Sequence, residues 1–256
     1  FCSDRGGGTV QVSGGSYESS GYNSPAVYST AAISVENALL TAHNSEALVI
    51  EGKNSITLTN CTVSGSMSAQ NSASGSENVH AVMIYQSMSG DAEIGTSSFS
   101  MAGGSLTGKA GDLFYITNTH CQLELSGVTL IQEDASGALM RICGNSASRG
   151  WGTAGSNGAQ VECTLRGQTL SGNILVDTIS SLTLDLTENS DFTGTLNIYE
   201  NAQGGTPVSG NLALTIQEGS TWTLTGDCTL STLINYGTIH FNGFTITLAD
   251  GTVLAG

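Results

Sequence analysis

Arg149, Trp151 and Arg141 are the residues of this chain best suited to ligand chemistry. A tryptophan face stacks on a sugar ring and a guanidinium offers a fork of donors to its hydroxyls, so together they could hold a glycan. Tyr85 and Tyr115 bring two further rings with polar tips. A loop tryptophan more commonly plugs its own loop onto the body of a protein, and that use of Trp151 stands beside the first. A catalytic set does not assemble in the same way. Glycosidic cleavage takes a carboxylate acid–base pair, whereas Glu51, Asp91, Glu93, Asp112, Glu133, Asp134, Asp177 and Asp185 are scattered along the sequence. Glu133 and Asp134 are adjacent, and a solvated turn accounts for that pair without chemistry. No catalytic residue is assigned.

Metal and thiol chemistry find no support in the spacing. His43, His80, His120 and His240 form no metal-ligand pattern and are expected as solvated surface side chains. The 6 cysteines include no C-x2-C pair. Two readings are open for Cys121, Cys143 and Cys163: one disulfide among the three, or free thiols acting as small apolar residues. No metal and no cofactor is expected.

What positions these residues is a repeat. The phrase Asn or Gly, two residues, then a large apolar residue recurs with its first member at Gly14, Asn37, Asn60, Gly103, Gly127, Gly167, Asn189, Gly219 and Gly243. Successive intervals are 23, 23, 43, 24, 40, 22, 30 and 24 residues, so the base period is near 23 and three intervals carry insertions. A fixed period of this size signals a stacked solenoid. Before each Asn or Gly lies a period-2 apolar pair, such as Ile33/Val35, Ile56/Leu58, Leu123/Leu125, Leu184/Leu186 and Ile239/Phe241. Such alternation marks a strand with one buried face. Asn and Gly tolerate a left-handed backbone and so mark the corner that follows. A second strand begins after the corner, and a third apolar segment comes earlier in the repeat: Ala47–Ile50, Ala81–Ile84, Leu113–Ile116 and Ala138–Ile142.

Three short strands per turn with a left-handed corner describe an all-β, right-handed parallel β-helix of about nine or ten turns. The register places Cys61, Cys163 and Trp222 at inward positions. These turns resemble the right-handed β-helix, pectin-lyase-like superfamily. The run Ala47-Leu-Val-Ile-Glu-Gly-Lys-Asn-Ser-Ile-Thr-Leu-Thr-Asn-Cys-Thr-Val is similar to adhesin-like and autotransporter-passenger-like surface proteins of anaerobic bacteria. The resemblance covers nearly the whole chain and carries the fold. It implies that an enzyme of this kind would use the cleft beside the third apolar segment, with acidic calcium ligands and a basic residue for a lyase, or three Asp near a His and a cation for a hydrolase. No such motif transfers to this sequence residue by residue.

Insertions at 64–80, 87–98 and 143–160 flank that segment, and a smaller one lies at 200–210. Leu48-Val-Ile, Val82-Met-Ile-Tyr, Leu113-Phe-Tyr-Ile and Leu139-Met-Arg-Ile are apolar on both sides of their strand. Either the insertions fold over this face, or an apolar stripe is left open to a partner. Thr57/Thr59, Thr221/Thr223/Thr225 and Thr245/Thr247 suggest a third use, ice binding through stacked threonines, although Glu36, Glu124 and Asp185 interrupt the rows.

Six Lys plus Arg against 21 Asp plus Glu give a net charge of −15. That balance excludes nucleic acid and anionic membrane as expected partners. Only 11% of residues are charged, so the surface is built of Ser, Thr, Asn and Gly. No apolar run of about 18 residues exists to span a membrane. Phe1-Cys2 precedes Gly14 as Ala47-Leu48 precedes Asn60, and the last ten residues look like a turn entering another. The expectation is one domain over 1–256, a piece of a longer secreted or cell-surface protein that associates end to end. Its expected partners are a glycan or protein of host or microbe. The expected function is a non-enzymatic adhesin-like stalk or binding module, with a carbohydrate-active β-helix as the alternative.

Overall fold

Each of the nine Asn/Gly positions singled out by the repeat has a left-handed backbone, with φ between 51° at Asn60 and 84° at Gly243. The first eight of these corners bend the chain into a parallel β-helix, seen in a computed structural model that describes residues 7–68 and 78–256. Three parallel sheets run along the rod. One has nine strands and holds the apolar pairs: Thr9–Ser13, Ala32–Glu36, Ser55–Thr59, Thr96–Ala102, His120–Ser126, Gln160–Arg166, Ser181–Thr187, Leu212–Ile216 and Thr232–Asn235, in that spatial order. We call it the pair sheet. A second nine-stranded sheet, the front sheet, contains Leu48–Glu51, His80–Tyr85, Asp112–Thr117 and Met140–Ile142. A third, of five strands, follows the corners from Ser16–Ser19 to Thr129–Gln132.

Sequence periodicity becomes packing through register. Val12, Val35, Leu58, Met101, Leu125, Leu165, Leu186 and Ile216 are Cα partners in consecutive turns and form one interior column. Burying each such side chain contributes about 1.5–3 kcal/mol. Trp222 is fully buried, stacked on Phe192 of the preceding turn at 6.1 Å between ring centroids, and its indole N–H donates to Gly194 O at 3.2 Å. Cys61 and Cys163 are buried in the same core.

The structure departs from the sequence reading in several places. Gly243 is not a ninth copy of the corner: Leu214 pairs with Leu233, and Ile239 pairs with Trp222. The chain therefore turns between Asn235 and Thr238, and the pair Ile239/Phe241 does not continue the interior column. The cross-section also changes along the rod. In two consecutive turns a nine-residue strand, Thr169–Asp177 and then Asp191–Tyr199, replaces two short ones and reaches into the front sheet, before the next turn splits again into Thr221–Leu224 and Cys228–Leu230. The last strand, Val253–Ala255, pairs antiparallel with Thr245–Leu248 instead of entering a further parallel turn. Residues 96–98 of the expected 87–98 insertion are already strand. Of the 64–80 insertion, residues 69–77 lie outside the described residues, as do Phe1 and Cys2.

Candidate functional site

The outward side of the front sheet is a buried aromatic cluster. Tyr28, Val49, Met83, Tyr115 and Arg141 are register partners along one column. Glu51, Tyr85 and Thr117 form the column beside it. Val49, Met83, Tyr85, Tyr115, Cys143 and Trp151 pack as a second core, with Tyr28 and Tyr199 against it. The segment 143–159 folds over the stripe and brings Trp151 down on Tyr85, 4.6 Å between ring centroids. Trp151 keeps only 9% of its surface exposed, with Tyr85 against its ring and the Arg149 guanidinium 4.9 Å from the ring centroid. Of the two alternatives for the doubly apolar strands, the insertion covers the stripe.

Asparagines latch this cover. Asn157 Nδ2 donates to Trp151 O at 2.9 Å and to Asn145 Oδ1 at 2.9 Å, and Asn145 Nδ2 donates to Thr117 Oγ1 at 2.9 Å. Asn118 Nδ2 ties the same region to Gln86 O at 2.7 Å. Gly152 has φ 73° and sits where a Cβ would lie 2.5 Å from Asn118 Oδ1, so the loop approaches too closely for any side chain.

Beneath the cover the charged groups are tied to neighbours, while Asp177 Oδ1 and Gln86 Oε1 are buried without a hydrogen-bond partner. Arg141 is held by Asp112 through Nε at 2.5 Å and Nη2 at 3.2 Å. Asp112 also accepts from Ala138 N at 2.6 Å and Asn78 Nδ2 at 2.8 Å. Burial works against the Arg141 charge, but the Asp112 carboxylate outweighs it and raises the guanidinium pKa. Glu51 accepts from the Tyr28 and Ser87 hydroxyls, and Tyr28 lies 3.0 Å from the Tyr85 hydroxyl. Burial pushes both tyrosines up, so their hydroxyls remain proton donors. Asp177 is buried and accepts from Gly144 N at 2.8 Å and from Asn201.

The sequence reading treated the histidines as solvated, which holds for His43, His120 and His240 but not for His80. His80 is fully buried, with its ring 5.1 Å from Tyr115 and Nε2 3.6 Å from Glu46. It starts a strand at the edge of the covered face, and the polar spacing around it gave no sign of burial. Burial would raise the Glu46 carboxyl, but His80 and the Ser45 hydroxyl pull it down to about 2. Cys61, Cys121, Cys143, Cys163 and Cys228 are free and buried, which settles the thiol question against a disulfide among the described residues. Among those residues no cluster of His, Cys, Asp or Glu could hold a metal ion.

The open concavities lie elsewhere. A trough follows the outward side of the pair sheet, where Ser55, Ser98, Gln122, Glu162 and Thr183 are register partners on five consecutive strands. One stretch of about 300 Å³ is lined by Ser98, Ser100, Gln122, Glu124, Glu162 and Thr164. The next, about 170 Å³, shares Gln122 and Glu162 with it and adds His120, Gln160, Ser181 and Thr183. Toward the other end it runs through Ser55 and Thr96 to Lys53 and Asn54, below the loop that carries Asp91 and Glu93. The sequence offers this face only as a threonine row interrupted by Glu36, Glu124 and Asp185, because each residue there is an ordinary outward strand residue. The signal was present in the register: Glu124, Glu162 and Asp185 fall at outward positions of three neighbouring strands. The three Thr-x-Thr phrases form no common row, since Thr57/Thr59, Thr221/Thr223 and Thr245/Thr247 sit in three different sheets. No protein-family model, no curated protein and no solved structure matches this chain.

Proposed function

We propose that this chain is a non-enzymatic segment of a bacterial surface or secreted protein, an adhesin-like β-helix that serves as stalk and binding module. The observation that carries this reading is the state of the loop-flanked face. Where the resemblance to pectin-lyase-like proteins would put catalysis, Trp151 caps a buried aromatic stripe, and the acids beneath it, Glu51, Asp112 and Asp177, each accept hydrogen bonds from neighbouring side chains or backbone, with one Asp177 oxygen left unpartnered. An acid–base pair needs groups that reach a substrate. Two further features support a role outside the cell: a surface of small polar residues with a net charge of −15, and a repeat that lengthens a rod without adding a new site.

The test is incubation of the purified chain with a panel of plant, microbial and host polysaccharides. New reducing ends and unsaturated uronate are followed by colour reaction and ultraviolet absorbance. The expected result is no product above a heat-treated control; steady release of sugar from any polymer removes the reading.

A further inference from the structure

We propose that the trough on the pair sheet binds an extended peptide segment rich in Lys and Arg, lying along the axis of the rod; this rests on the binding-module reading and names its partner. The trough crosses six neighbouring strands from Ala32–Glu36 to Ser181–Thr187. At about 4.8 Å per strand this is roughly 24 Å, the length of about seven extended residues. Its floor is a field of hydroxyls and amides, among them Ser98, Gln122, Thr164 and Thr183, which can both donate to and accept from a peptide backbone. No Trp, Tyr or Phe occupies an outward position on these six strands, so no aromatic platform is offered to a sugar ring.

Charge selects the sign of the occupant. Glu124 is engaged by Arg166 at 3.3 Å, while Glu162 and Asp185 have no ion-pair partner among the described residues. Glu162 opposes Thr183 and Asp185 opposes Thr164, so the two carboxylates sit diagonally on adjacent strands of the same outward face, Glu162 lining the trough and Asp185 beside Thr164, which also lines it. With 21 acidic against 6 basic side chains in the whole chain, the long-range field also draws in cations and repels anionic polymers.

The probe is fluorescein-labelled octalysine titrated into the full chain and read by anisotropy, with octaglutamate and neutral β-linked oligosaccharides alongside. The expected result is saturable, salt-sensitive binding of octalysine alone. The Glu162→Gln/Asp185→Asn variant should weaken it about fivefold or more, the scale of two exposed ion pairs. Glu133→Gln/Glu200→Gln removes the same charge from positions off the trough and should leave it unchanged. Equal losses in the two variants, no binding, or a neutral oligosaccharide that binds in the trough would each overturn the proposal. None of these outcomes produces sugar release, so failure here is distinguishable from failure of the non-enzymatic reading.

Discussion

Trp151 rests on Tyr85 with ring centroids 4.6 Å apart and planes tilted by 53°, and this contact turns a loop into a wall of the second core. It joins residues 66 positions apart in sequence, and it is made only because the 143–159 segment is latched by Asn157 and Asn145. The same contact removes Trp151 from solvent and so from ligand stacking.

Trp151→Ala should therefore act on stability. Truncating a buried tryptophan costs about 3–5 kcal/mol, with some relief here because Trp151 lies at the edge of its cluster. Thermal unfolding followed by near-ultraviolet circular dichroism should show a lower Tm and a weakened aromatic band. An unchanged Tm would show that the ring packs against nothing in solution.

The Asp112–Arg141 pair gives a second expectation. Removing one partner of a buried, bidentate pair strands the other, at about 3–5 kcal/mol. Arg141 retains contact with water at one edge, which places Arg141→Met near the lower limit. The double variant Asp112→Asn/Arg141→Met should lose less than the sum of the single losses, measured as a double-mutant cycle in denaturant. Strict additivity would mean that the two groups do not interact.

Acid stability should report Glu46. Its carboxyl is held at about 2 in the folded protein against 4.5 as the reference value, burial being outweighed by His80 and the Ser45 hydroxyl. A depressed carboxylate contributes stability above the unfolded pKa, and this is lost as the pH falls through the folded value. The window is thus pH 4.5 down to 2, with a size on the order of 3 kcal/mol. Glu46→Gln should flatten that limb of the Tm–pH curve relative to the wild type; parallel curves would refute the assignment.

Thiol reactivity follows from burial in the same way. Burial pushes the Cys121 and Cys143 thiols up to about 12, and Cys228 to about 11 despite a backbone hydrogen bond. At pH 8 these groups are protonated and out of contact with water, so an alkylating reagent mapped by mass spectrometry should label them only after denaturation. Rapid labelling of the native protein at any of the three would contradict the packing.

The corner is testable at Asn60, where φ is 51°. A non-Gly, non-Asn residue in that conformation costs about 1–2 kcal/mol. Asn60→Ala should lower Tm accordingly and Asn60→Gly should be tolerated. Equal effects of the two substitutions would point to the side chain, not the backbone, as the source of stability.

The sequence made the fold legible because register in a β-helix is a one-dimensional property. Ile33, Ile56 and Leu123 announce their inward direction by alternation, and Asn37 or Gly167 announce the corner by residue type. The C-terminal turns were read out of register because Gly243 copies the corner phrase while the actual turn falls between Asn235 and Thr238. Arg141, Tyr85, Tyr115 and Trp151 were correctly gathered on one face, since the insertions crowd it. Whether that face is open or closed depends on how Asn157 folds a loop back, and no local pattern encodes that. His80 was misplaced for a related reason: its cover comes from elements distant in sequence.

The most direct measurement of the central claim, that the loop-flanked face is sealed structural core and not a site, is hydrogen–deuterium exchange resolved by peptide. Segment 143–159 should exchange slowly, with protection approaching that of Asp112–Thr117 beneath it, because Cys143 N and Gly144 N donate to Ile116 O and Asp177 Oδ2 in the covered face and Asn145 N donates to Asn157 Oδ1 within the cover. Full exchange of 143–159 within seconds, while Asp112–Thr117 stays protected, would show an open face and contradict the account.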